Sequence, residues 1–108
     1  MMEQAESLLL VLTTVATRAD ADALARAMVE QRLAACVHIE AIDSVYHWEG
    51  AVQTEPEFRL LLKTAPPRHA ALVEALRAAH PYELPAIVSL PAQANHAFAA
   101  WVAEHSAG

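Results

Sequence analysis

Two strand-length stretches of this chain are apolar on both or nearly both of their alternating faces: Ser7-Leu8-Leu9-Leu10-Val11-Leu12-Thr13-Thr14 and Glu57-Phe58-Arg59-Leu60-Leu61-Leu62-Lys63-Thr64. A half-exposed strand alternates apolar with polar residues, so runs like these belong in a sheet covered on both sides. Whatever fold the rest of the sequence specifies must supply two covers.

The first run leads into Thr17-Arg18-Ala19-Asp20, which has the form of a capping box. Leu24, Ala27, Met28 and Gln31 then follow at helical spacing to about Leu33. Cys36 to Trp48 is rich in β-branched and aromatic residues and reads as a strand, with a bend or bulge at Asp43-Ser44. Glu49-Gly50 makes a tight turn, because glycine takes the positive φ angle that hairpin loops demand. The second apolar run returns from it. Pro66-Pro67 opens a helix with apolar positions Leu72, Val73, Leu76 and Ala79, and Pro81 ends it for want of an N–H group. Ala86 to Leu90 is a fourth strand, and Asn95 is placed to cap a last helix whose buried side is Phe98, Trp101, Val102 and His105.

The order is β-α-β-β-α-β plus a terminal helix, and the predicted fold class is α+β, a ferredoxin-like antiparallel sheet with an extra C-terminal helix. Residues 1–108 form a single domain, with residues 1–6 as a flexible leader. In that arrangement the helices lie over one sheet face. The second face then needs another cover, and a further copy of the chain is the simplest one.

Composition narrows the function. The apolar fraction is 56%, but much of it is alanine, which favours helices more than it enlarges a core. Seven Lys and Arg against thirteen Asp and Glu give a net charge of −6, which repels a phosphate backbone, so no nucleic-acid partner is expected. The run Leu8 to Leu12 is too short to cross a bilayer, the leader is acidic where a signal peptide would be basic, and the lone Cys36 fits a reducing compartment. The expected location is the cytoplasm, with no membrane association.

Chemistry-bearing residues concentrate in Ser44-Val45-Tyr46-His47-Trp48-Glu49-Gly50 and His80-Pro81-Tyr82-Glu83-Leu84-Pro85. Lys63, the only lysine, sits beside three leucines. It either meets an anion, with Glu83 or Glu57 as first candidates, or runs its ammonium out to the strand end. Cys36, His38 and Glu40 fall at i, i+2 and i+4, one face of a regular strand, about 7 Å apart in sequence order. Their donor atoms suit copper or zinc, and the alternative is a small buried thiol beside a satisfied imidazole. His80 closes a helix, where it serves either as a cap or as a metal ligand. His69, His96 and His105 read as solvated. The sequence holds no G-x-S-x-G, phosphate-binding glycine loop, C-x-x-C or H-E-x-x-H, so no catalytic activity and no organic cofactor are expected.

Taken together, Ala35-Cys36-Val37-His38-Ile39, Ser44 to Gly50, Leu62-Lys63-Thr64, His80 to Pro85 and Trp101 resemble the CutA family of divalent-cation tolerance proteins in order and spacing, from about Leu8 to Val102. The resemblance implies a tight homotrimer with inward-packed sheets, an architecture similar to PII-type signalling proteins, and a role in tolerance of copper or another divalent cation. It also implies a small-ligand or ion pocket near subunit clefts at Trp48, Glu49, Lys63, Tyr82 and Glu83. Of the copper ligands of such relatives only His80 is present, Thr13 and Ala79 standing at the other two positions, while His38 adds a nitrogen near Cys36. The readings that remain open are a divalent-cation binder, a PII-like sensor of a small anionic metabolite, a small hydrolase with Glu83 as general base beside Tyr82 or His80, and a purely structural trimer that anchors other proteins.

Overall fold

The computed structural model describes residues 5–108. The expected leader therefore lies outside the described residues up to position 4, and its last two residues, Ala5 and Glu6, already belong to a strand. The elements run β1 (Ala5–Val15), α1 (Arg18–Glu30), β2 (Cys36–Trp48), β3 (Ala51–Thr64), a 3-10 turn (Pro66–Arg68), α2 (His69–Ala79), β4 (Ile87–Asn95) and α3 (His96–His105). The four strands form one sheet in the order β2-β3-β1-β4, and every neighbouring pair is antiparallel.

One face of the sheet, carrying Val11, Val15, Leu60 and Leu62, is buried against α1 and α2 through Leu24, Met28, Leu72 and Leu76. Thr17 caps α1 by accepting a hydrogen bond from the Asp20 N–H at 3.1 Å. The helix closes with Arg32 at φ 57°, and the Leu33 N–H and Arg32 N–H donate to the Met28 and Val29 carbonyls. That is a Schellman-type ending, more often given to glycine. The Arg32 side chain donates to the Glu104 carbonyl at 2.5 Å and the Ala107 carbonyl at 2.9 Å, tying the end of α1 to the chain's C-terminal residues.

The second face is not bare. α3 packs there, Phe98 and Val102 meeting Leu8, Leu10, Ala92 and Ala94. The expectation that helices lie over only one face is thus corrected at one end of the sheet. Beyond α3 the face stays open, in rows fixed by the register. Cys36, Lys63, Leu10 and Leu90 form one row, and His38, Leu61, Leu12 and Val88 the next. Val88 and Leu90 are 53% and 49% exposed in the single chain.

Several local expectations are revised. No bulge interrupts Asp43-Ser44, since β2 pairs with β3 in unbroken register from Cys36↔Lys63 to Trp48↔Ala51. The strand after the turn begins at Ala51, six residues earlier than Glu57, because Glu49 and Gly50 both take positive φ (51° and 78°) and close the hairpin in two residues. β4 continues past Leu90 through Pro91, which an edge strand tolerates, and Asn95 then stands before α3 without a side-chain capping bond. Trp101, placed on the buried side of α3 by its spacing, is 41% exposed. It lies over His105 at 4.8 Å and Phe98 at 5.7 Å between ring centroids.

Candidate functional site

The register that extends β2 and β3 also creates the site. β1 stops at Val15 and β4 starts at Ile87, whereas the β2–β3 hairpin runs on as an arm from about Ile42↔Glu57 to the turn. Strand alternation puts Ser44, Tyr46 and Trp48 on one side of this arm together with Glu55 and Glu57, the side away from α1 and α2. The segment from His80 to Ala86 packs beside the arm's base and leaves a cleft of about 730 Å3.

Glu57 is the hub of the cleft. Ser44 donates to its Oε1 at 2.5 Å and Tyr82 donates to its Oε2 at 2.6 Å, so one carboxylate joins the arm to the segment after α2. Burial, with the Glu57 carboxylate next, raises the Tyr82 hydroxyl far above its ordinary range, and the phenol stays protonated as donor. Trp48, Tyr46, Glu55 and Glu83 complete the polar and aromatic walls, with Val45 and Leu84 among the apolar ones. Among the described residues, none that lines it is lysine or arginine.

His80 orients the segment that carries Tyr82. Its Nδ1 accepts from the Tyr82 N–H at 3.1 Å, so in the neutral ring the proton is on Nε2, which lies 2.9 Å from Thr13 Oγ1 and donates to it. Burial pushes the imidazole below its ordinary 6.5, against smaller opposing pulls from the Thr14 backbone and then from Asp20. An unfolded chain therefore takes up this proton before the folded one does. The contribution of His80 to stability is complete above about pH 6.5 and is lost as pH falls through the lower folded value. Urea unfolding at stepped pH should show a shallower acid dependence for His80→Gln than for the parent chain, and equal slopes would contradict the assignment.

Of the residues singled out from sequence, Trp48, Tyr82 and Glu83 line the cleft together, while Glu49 sits in the turn at the arm's tip. Lys63 is elsewhere. It lies six residues along β3 from Glu57, about 20 Å in an extended strand, with its ammonium 5.2 Å from the Phe98 ring centroid. Neither Glu57 nor Glu83 pairs with it.

Cys36 lies directly across from Lys63, and burial raises the thiol despite that ammonium, which is unfavourable to a thiolate ligand. His38 is exposed one row on, and Glu40 is taken by Arg59 through a forked contact at 2.7 and 2.9 Å. His80 sits against Thr13, whose register places it on the opposite sheet face from Cys36 and His38. Among the described residues no three His, Cys, Asp or Glu side chains gather as metal ligands would. The residue that sequence reasoning undervalued is Glu57. Counting back from the two-residue turn would have set it beside Ser44, but an assumed bulge disturbs that count.

Fold and cleft together describe a split-βαβ protein: one sheet, an extended arm, and a polar aromatic cleft at the arm's base. The sequence profile of the CutA1 divalent ion tolerance protein family matches residues 9–105, and the chain belongs to that family. It is 42% identical over 98 residues to the divalent-cation tolerance protein CutA of Thermus thermophilus, covering 89% of this chain and 95% of that one. Against the CutA homolog of Xenopus laevis it is 41% identical over 83 residues, 75% of this chain, and spans only about half (55%) of the relative's length. The structure of CutA from Synechococcus elongatus superimposes with a TM-score of 0.91 at 39% identity, covering 98% of this chain and 95% of the other. That protein is also known complexed with a Bis-Tris molecule, at a TM-score of 0.86.

Proposed function

We propose that the chain works in divalent-cation tolerance as a homotrimeric binding protein, holding a cationic ligand in clefts at the seams between subunits. The observation that carries this reading is the cleft at the arm's base, where Glu55, Glu57 and Glu83 face the same space with no basic side chain among the described residues that wall it. Such a lining attracts positive charge and repels phosphates and carboxylates. The open apolar rows of the second sheet face give the trimer its reason: Leu10, Leu12, Leu61, Val88 and Leu90 are covered once sister chains pack against them. On this reading Cys36, His38 and His80 do not make the binding site: they stand in separate surroundings, and both ring nitrogens of His80 are already engaged. A family member that takes up Bis-Tris supports a pocket of small-molecule size. The protein is placed in the cytoplasm on its single thiol.

A PII-like anion sensor would have to use Lys63, which has no carboxylate partner among the described residues and faces the open side of the sheet. The hydrolase reading lacks its proton relay, because the Tyr82 hydroxyl is spent on Glu57 and His80 on Thr13. Calorimetric titration with small cations, copper and zinc beside an organic ammonium, tests the main proposal. Glu57→Gln and Glu83→Gln should each weaken cation binding about tenfold, while a phosphate metabolite gives no heat. Cation binding untouched by both changes, or heat from the anion that vanishes in Lys63→Ala, would move the site away from the cleft.

A further inference from the structure

Resting on that cationic reading of the cleft, we infer that its occupant is an organic ammonium ion, a positively charged nitrogen on an apolar body, received between the rings of Tyr46, Trp48 and Tyr82 with Glu57 beneath. A bare divalent metal fits this geometry poorly. Each oxygen of Glu57 already accepts a hydroxyl proton, from Ser44 and from Tyr82, so the carboxylate is a fixed charge with little freedom to swing onto an ion. The Tyr82 oxygen keeps its proton and offers no anionic ligand.

An alkylammonium needs no inner coordination sphere. Its charge is diffuse, and it is stabilised by ring faces within about 6 Å and by a carboxylate at longer range. The cleft offers both. Tyr46 and Trp48 project from the same side of β2 two residues apart, 39% and 51% exposed, so their faces are open to a ligand. Tyr82 lines the same cleft from the segment after α2, facing the arm that carries Tyr46. The remaining walls, Val45, Leu84, Pro81 and Ala86, suit alkyl groups, and about 730 Å3 is a volume for a small molecule.

The test uses choline chloride and its uncharged isostere 3,3-dimethyl-1-butanol as probes, titrated into the intact purified protein by calorimetry, beside zinc and copper. Choline is expected to bind at least about tenfold more tightly than the isostere. Trp48→Ala, at a half-exposed position that leaves the core intact, should lose about three- to tenfold, and Trp48→Phe should recover most of it. Glu57→Gln should lose about tenfold. Metal binding that responds to Glu57→Gln, with choline giving no heat, would overturn the ammonium assignment and leave the cationic cleft standing. Silence from choline and both metals would overturn the two together. Choline binding indifferent to Trp48→Ala would also overturn the ring-lined pocket.

Discussion

Leu90→Asp is expected to break the proposed trimer, turning a particle of three chains, 3 × 11.7 kDa = 35.1 kDa, into one of a single chain near 11.7 kDa, as read by light scattering or sedimentation. In one chain the side chain is 49% exposed and borders Leu10, so an aspartate there reaches water and costs the isolated fold little. At a seam the same carboxylate would be shut in among leucine and valine side chains. An unpaired charge so placed costs several kcal/mol, incurred once per subunit. Circular dichroism should stay close to that of the parent, which separates loss of assembly from loss of fold. A variant that still sediments as three chains would show that this face is not where copies meet.

The second large effect is on stability. Leu62 is fully buried and lies between Val11 and Val37, under the two helices that close the first face. Leu62→Ala removes three heavy atoms from a packed layer whose neighbours belong to three strands and cannot all move inward. The expected loss is about 2–5 kcal/mol in urea unfolding at matched protein concentration. Val88→Ala, at a 53% exposed position, would cost far less in a free chain, and its penalty should grow only where copies associate. A loss under about 1 kcal/mol for Leu62→Ala would mean that the layer collapses around the gap.

How far the sequence alone could reach follows from which physics is local. The element order, the Thr17 cap and the two-residue turn at Glu49-Gly50 were legible because each depends on a few adjacent residues. So was the need to cover two sheet faces, written in the unbroken leucines of β1 and β3. Less legible was what covers the second face. The spacing of α3 exposes its stripe but not its direction, and Phe98 and Val102 prove to lean on Leu8 and Leu10.

The site was half legible for the same reason. Aromatic and acidic residues crowded into two segments marked the place, and Trp48, Tyr82 and Glu83 do meet. Pairing across strands was not, because it turns on register. A bulge at Asp43-Ser44 would have carried Ser44 to the other side of the arm, away from Glu57, and in its absence the two bond. Lys63, which its leucine neighbours left open between an anion partner and a run to the strand end, lies near an aromatic face.

The knot that Arg32 makes with the Glu104 and Ala107 carbonyls has a mechanical corollary. Because the last residues are anchored to the end of α1, any polypeptide continuing past Gly108 departs from a rigid mooring instead of a slack tail. A fluorophore attached there should tumble with the whole particle, and Arg32→Ala should set it loose without unfolding the sheet.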